Sequence, residues 1–177
     1  MRRIIQKAKE IYKRYGLDEL DLLASKLGVE IYEILEAKNI KEVYFPDLRA
    51  IAINPDLPPY ERNYLIAHAL GHHLFHKVGL KRDYINLHER GVFGSLELGR
   101  REISIKEREA DIFAAYLLIP EEKLTPLLEE DRIKEAHSDP LSELAEEFQV
   151  PEELMRRRVE FEKIPRGSGR NFAGLTL

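Results

Sequence analysis

The feature that most limits what this chain can fold into is a pair of histidines four residues apart in an apolar segment. His68 and His72 lie within residues 62–76, RNYLIAHALGHHLFH, which have apolar periodicity and no internal proline. Residues four apart share one face of an α-helix, so both imidazoles can point at one atom. This is the spacing of the two zinc-binding histidines in a His-Glu-x-x-His helix. The sequence therefore predicts a metal-binding helix over residues 60–77.

The residue after the first histidine departs from that pattern. Position 69 is alanine, whereas the motif has a glutamate there that acts as the general base of peptide hydrolysis. Alanine can neither accept nor return a proton, and loss of a general acid-base typically costs about 10²–10⁴-fold in rate. Ala69 therefore argues against ordinary peptide hydrolysis at a site that otherwise suits zinc.

A third metal ligand is expected on another helix, because catalytic zinc usually has three protein ligands and a water. Residues 107–111, EREAD, offer carboxylates on a predicted helix. Glu107 and Asp111 share one helix face, so Glu107 could bind the metal while Asp111 accepts the free ring N–H of His68. Glu109 points elsewhere on that helix; it is the second choice of ligand and a possible cleft residue.

A simpler interpretation is open for these residues. The two histidines could be core residues, and Glu107 could merely complete a capping box begun by Ser104, at the start of a helix over residues 104–118. His76 lies one helical turn beyond His72, on or close to the metal-facing side. It could line the cleft or be a partly buried polar residue.

The segments around the histidine helix predict a small α+β fold. Before residue 54, apolar periodicity indicates two helices and three strands, and the strands are expected to form a small antiparallel sheet. These elements are expected at residues 3–15, 18–27, 29–34, 43–45 and 50–53. Residues 81–103 have weak periodicity and three glycines, which predicts a long loop or flap.

The C-terminal part predicts a helical subdomain. Residues 141–164 have helix-turn-helix spacing, with three consecutive arginines at 156–158 that could touch phosphates if the unit entered DNA. Glutamates surround these arginines, so a subdomain that packs on the core, or holds a protein substrate, is favoured over direct DNA binding. The expected units are a metal-binding domain at 1–136, a helical subdomain at 137–165 and a flexible tail at 166–177.

Composition limits the class of protein further. The net charge of −4 provides no overall basic field for nucleic acid, and the absence of cysteine excludes disulfides and Cys-type zinc sites. No apolar run approaches the roughly 20 residues of a membrane span, and the N-terminal residues lack the apolar core of a signal peptide. We therefore expect a soluble, cytoplasmic protein.

Two segments together resemble the ImmA/IrrE family of metallo-endopeptidases. They are residues 64–76, YLIAHALGHHLFH, and residues 107–120, EREADIFAAYLLIP, and they occur in the family's order. The resemblance covers about residues 20–161. It implies a zincin-like metallopeptidase core and a Zn²⁺ ion bound by the two motif histidines and Glu107. Relatives commonly cleave helix-turn-helix repressors of stress responses or mobile elements, so the resemblance implies a transcriptional repressor as substrate.

Ala69 is the departure from the family pattern, and three explanations are open. The chain could be an engineered inactive variant, a natural zinc-binding pseudoenzyme that serves as a regulatory or protein-binding module, or an enzyme in which Glu89 or Glu109 substitutes. Because the rest of the motif is intact, a deliberate replacement is slightly favoured over a natural one, and a substitute requires a coincidence of geometry. The expected function is a zinc endopeptidase of ImmA/IrrE type, with this chain inactive or very slow.

Overall fold

The computed structural model of the chain describes residues 1–17, 19–34, 40–76, 84–87, 93–94, 100–129 and 139–163. The helices in these residues are α1 (Arg2–Tyr15), α2 (Leu20–Lys26), α3 (Pro59–Phe75), α4 (Arg100–Leu118), α5 (Glu121–Glu129), α6 (Pro140–Glu147) and α7 (Glu152–Lys163). The strands are β1 (Glu30–Glu33), β2 (Ile40–Phe45), β3 (Ala50–Ile53), β4 (Tyr84–Leu87) and β5 (Phe93–Gly94). The predicted α+β class is confirmed.

The five strands form one sheet in the order β1-β3-β2-β4-β5. β2 pairs antiparallel with both β3 and β4, and β4 pairs antiparallel with β5. β1 pairs with β3 in parallel, with Glu30 opposite Ala50. The sheet is thus mixed, whereas the sequence predicted an antiparallel one. Apolar alternation identifies a strand but carries no information about the direction of its neighbour, and β1 joins the sheet beside β3 rather than beside β2.

One face of the sheet and two long helices enclose the core. Tyr44 of β2 and Ile51 and Ile53 of β3 are fully buried on that face. α3 packs against α4 at Gly71, where an added Cβ would lie 3.0 Å from the Cα of Ala110. The missing side chain therefore permits a close approach of the two helices, and this approach positions the side chains on their facing surfaces.

The last helix, α7, packs on α4 through a buried arginine. Arg158 of α7 has no exposed surface, its Nε donates to the carbonyl oxygen of Ile119 at 3.1 Å, and its guanidinium lies 3.9 Å from the centre of the Tyr116 ring. α6 and α7 correspond to the helix-turn-helix spacing predicted at 141–164. The division of the chain at residue 136 stays a prediction, because residues 130–138 lie outside the described part.

Two local predictions are corrected. α4 begins at Arg100, so Ser104 lies inside the helix and the capping box predicted there is wrong. Residues 81–103 are not wholly a loop, because they contain β4, β5 and the start of α4. The two strands are too short to show a clear period. The predicted tail at 166–177 lies outside the described residues.

Within the described ranges, no helix has both the length and the apolar character that a bilayer crossing requires.

Candidate metal site

Three side chains predicted as metal ligands meet between α3 and α4. His68, His72 and Glu107 are buried, and each offers one ligand atom within 4.8 Å of the other two. The two histidine Nε2 atoms are 3.0 Å apart, and His68 Nε2 lies 3.1 Å from Glu107 Oε2. The third separation, from His72 Nε2 to Glu107 Oε1, is 3.4 Å. The three groups therefore converge on one small volume.

These separations fit a divalent metal ion. Ligand bonds of about 2.0–2.1 Å in a tetrahedral arrangement place ligand atoms about 3.3–3.5 Å apart, close to the distances found. Oε1 of Glu107 is also buried, with no hydrogen-bond partner among the described residues. Two imidazoles and one carboxylate form a donor set that suits a transition-metal ion with an open position for water or substrate.

Local sequence explains why the two helices present these groups together. α3 starts with Pro59 at its first position, and no later proline interrupts it. His68 and His72 are one turn apart on its surface. Gly71 lies against Ala110, and Ala110 stands on α4 between Glu107 and Asp111. The close approach of the two backbones therefore brings both carboxylates within reach of the imidazoles.

Asp111 connects His68 to two residues that the sequence did not indicate. Its Oδ1 lies 3.0 Å from His68 Nδ1 and accepts a hydrogen bond from the Tyr64 hydroxyl at 2.9 Å. Its Oδ2 accepts from Nη1 of Arg157 on α7. An ionised carboxylate only accepts, so His68 Nδ1 donates and the orientation of its Nε2 is fixed. Tyr64 is four residues before His68 and shares its helix face, so the sequence could have placed Tyr64 at the site. The residues around Arg157 contain no such indication.

The possible cleft residues His76 and Glu109 lie on the other side of the second histidine. His76 Nδ1 is 2.9 Å from His72 Nδ1, and His76 Nε2 is 3.0 Å from Glu109 Oε2. These contacts orient His72 much as Asp111 orients His68, and they place Glu109 away from the three converging ligand atoms. His73 faces elsewhere, as expected, because its Nδ1 lies 2.8 Å from the hydroxyl of Tyr44.

In the metal-free protein the close packing shifts the titration of the three groups. Burial alone would lower the pKa of His68, but its hydrogen bonds to Asp111 and Glu107 outweigh that effect and raise the pKa to about 10. Burial lowers the pKa of His72 to about 4. Burial opposes ionisation of Glu107, yet the adjacent imidazoles of His68 and His72 lower its pKa to about 2. In the metal-free protein, His68 therefore keeps a second proton between the carboxylates of Glu107 and Asp111. A bound cation would neutralise the same negative charges.

Comparison with known proteins identifies the family. The profile of the IrrE N-terminal-like domain, Peptidase_M78, matches residues 24–160. The chain belongs to this family. The expected ImmA/IrrE membership is therefore confirmed, and with it a metallopeptidase-like fold.

A solved structure is similar to this IrrE-like chain over nearly all of its length. It is a Mycobacterium tuberculosis transcriptional regulator, with a TM-score of 0.61 and 17% identity. The match covers 96% of the present chain and 49% of the regulator, so the chain spans about half the length of that protein. At this identity the likeness shows the fold alone. No curated protein matches the chain by sequence.

Two further buried residues of this IrrE-like chain lie on the elements next to the site, one on α3 and one on β2. Ala69 is buried and offers only a methyl group where the motif has a carboxylate. Glu42 of β2 is also buried, although the sequence analysis did not single it out. Burial raises the pKa of Glu42 to about 8, while the charge of His68 lowers it and that of Glu107 raises it. The sequence could have indicated its burial, because Glu42 is two residues before the core residue Tyr44 and so shares its face of the strand. Glu89 lies outside the described residues.

Proposed function

We propose that this chain is a zinc-dependent endopeptidase of ImmA/IrrE type that acts on a cytoplasmic protein, with a helix-turn-helix repressor as the expected substrate. The observation that supports this is the convergence of His68, His72 and Glu107, with Asp111 bonded to the outer nitrogen of His68. Family membership supports the reaction class. Repressors of stress responses or of mobile elements are the partners that we expect from the family.

The chain's own residues would hold and orient the ion. A zinc ion bound by His68, His72 and Glu107 would lower the pKa of a water molecule to about 7 and polarise the scissile carbonyl. Asp111 fixes the ring of His68, and His76 fixes the ring of His72. Since position 69 lacks a carboxylate, we expect turnover about 10²–10⁴-fold below that of a chain with glutamate there.

The alanine at position 69 supports a second candidate function, that of a pseudoenzyme. The same residues could hold zinc in a pseudoenzyme that binds or regulates a protein without cleaving it. The two functions differ in one observable, namely whether a carboxylate supplied at position 69 produces cleavage.

Direct DNA binding is not part of the proposal. Arg156 pairs with Glu152, and Arg157 pairs with Asp111. Arg158 is buried against α4. The three arginines that could touch phosphates are thus engaged within the chain, which supports a packing role for α7.

Metal analysis tests the site. Protein purified without added zinc should contain about one equivalent of zinc, and His72→Ala should lose it. His73→Gln is the matched control, because His73 is the neighbouring histidine but bonds to Tyr44. Zinc retained by His72→Ala, or lost equally from the control, would contradict the assignment.

Restoring the carboxylate tests the activity. Ala69→Glu and the chain as given are each incubated with a cell extract, and new protein N-termini are mapped by terminal-amine labelling. New termini in a transcriptional regulator with Ala69→Glu, at a rate at least 100-fold above the parent chain, would support the endopeptidase. If a zinc-loaded Ala69→Glu protein produces none, the pseudoenzyme is the better account.

A further inference from the structure

Glu42 is a buried carboxylate that belongs neither to the candidate metal ligands nor to the residues that orient them. Its side chain is on β2, the residue is 3% exposed, and its Oε1 has no hydrogen-bond partner among the described residues. Buried polar atoms are nearly always paired, so an unpaired carboxylate oxygen in a core calls for an explanation.

The side chain of Glu42 faces α3. Residues two apart on a strand share one face of a sheet, so Glu42 lies on the same face as Tyr44. Their partners on β3 are Ile53 and Ile51, which are fully buried on that face. The Tyr44 hydroxyl lies 2.8 Å from Nδ1 of His73, a residue of α3. This contact connects the strand to a known position on the helix.

The position of Glu42 along α3 follows from that contact. Two residues of a strand span about 6.6 Å, and four residues of a helix span about 6 Å. Ala69 is four residues before His73, so the step from Tyr44 to Glu42 matches the step from His73 to Ala69 in length. The direction is set by Lys41, the residue before Glu42, which pairs with Glu61 in the first turn of α3, so β2 and α3 run the same way. Glu42 therefore lies level with Ala69, at the turn of α3 that also carries His68.

We infer that Glu42 carries out the proton transfer that the motif assigns to the residue after the first histidine, with a strand carboxylate in place of the helix carboxylate that Ala69 lacks. This inference rests on the proposed endopeptidase function and would account for the residual turnover that we expect of this chain. It differs from both substitutes suggested by the sequence, since Glu109 pairs with His76 and Glu89 is outside the described residues.

The proposed step is a complete hydrolysis. The oxygen of a water molecule forms a bond to the peptide carbonyl carbon and gives one proton to Oε1 of Glu42. As the C–N bond breaks, that proton moves from Glu42 to the amine nitrogen. The products are a carboxylic acid and an amine, and Glu42 is again a carboxylate. A carboxylate can take up and return a proton in this way, as general acid-base catalysis requires.

A small metal-binding acid tests this role without a protein substrate. The chain is loaded with Co²⁺ and titrated with acetohydroxamate, and binding is read from the visible Co²⁺ spectrum. A hydroxamic acid binds metal as its anion, so a carboxylate beside the metal should take the released proton and hold the ligand by a hydrogen bond. Loss of such a charged hydrogen bond typically weakens binding by about ten-fold or more.

Glu42→Gln should therefore bind acetohydroxamate at least ten-fold more weakly than the parent chain while retaining one equivalent of Co²⁺. Glu33→Gln, which removes an exposed carboxylate from the same sheet, should bind as the parent does. Glu42→Asp, which retracts the carboxylate by one methylene, provides a second variant if the glutamine protein does not fold. Equal acetohydroxamate affinity in the parent and either Glu42 variant overturns the inference. A parent chain that binds no Co²⁺ overturns the proposed function instead.

Discussion

Glu42→Gln should stabilise the metal-free protein, and the gain should grow as the pH rises. Burial raises the pKa of Glu42 from 4.5 to about 8 in the folded chain. In the unfolded chain the carboxyl group is solvated and loses its proton near its ordinary pKa. Glutamine is nearly the same size and neutral in both states, so the variant removes this titration and little else.

The sign and size follow from proton linkage. Between pH 4.5 and about 8 the folded state holds the Glu42 proton and the unfolded state has lost it, so stability falls as pH rises. The contribution is fully present below the unfolded pKa and is lost by the folded pKa. Each pH unit within this window costs about 1.4 kcal/mol. From pH 5 to pH 7.5, the advantage of Glu42→Gln should therefore grow by about 3 kcal/mol.

Urea unfolding followed by circular dichroism, at pH 5, 6.5 and 7.5 with EDTA present, measures this difference. Glu33→Gln is the control for removal of a carboxylate from the sheet, because Glu33 is exposed. Neighbouring charges on His68 and Glu107 are common to the parent and the variant, so their titration largely cancels. A stability difference that stays constant over this pH range would falsify the buried, protonated state assigned to Glu42.

Two further predictions concern the packing between α3 and α4. Asp111→Asn should weaken zinc binding about 10–100-fold in chelator competition, because the asparagine cannot hold His68 as the carboxylate does. Asp21→Asn, which removes the partner of Arg62 in a partly exposed ion pair, should leave the affinity unchanged, and equal losses would refute the orienting role. Gly71→Ala should destabilise the protein by about 1–3 kcal/mol, because its Cβ would lie 3.0 Å from the Cα of Ala110; an unchanged melting temperature would show that the two helices can separate without cost.

The candidate ligands were accessible from sequence because each pair is a local helical relation. His68 and His72 are one turn apart, and so are Glu107 and Asp111, which makes each pair share a face in any straight helix. The two pairs meet as soon as α3 packs against α4 with these faces toward each other. The α+β class was accessible for a similar reason, since apolar periods of two and of about 3.6 residues distinguish strands from helices.

Other features depend on where distant segments meet. The parallel pairing of β1 with β3 and the start of α4 at Arg100 were missed, because a strand's pattern does not specify its neighbour and a plausible capping box can lie inside a helix. Arg157 reaches Asp111 only because α7 packs on α4. Its local sequence, three arginines among glutamates, suggested a helix that packs on the core but did not indicate which side chain the arginine would reach.

The amino-acid sequence by itself determined which side chains share a helix face, and therefore that two imidazoles and a carboxylate were available for one cation and that Ala69 could not move a proton. Only the tertiary structure decided which residues from other elements surround that group. Glu42 comes from a strand 27 positions before Ala69 in the chain, and its approach to the site depends on how the sheet packs on α3. The periodicity of a segment is a local property, whereas contact between segments depends on the packing of the whole core.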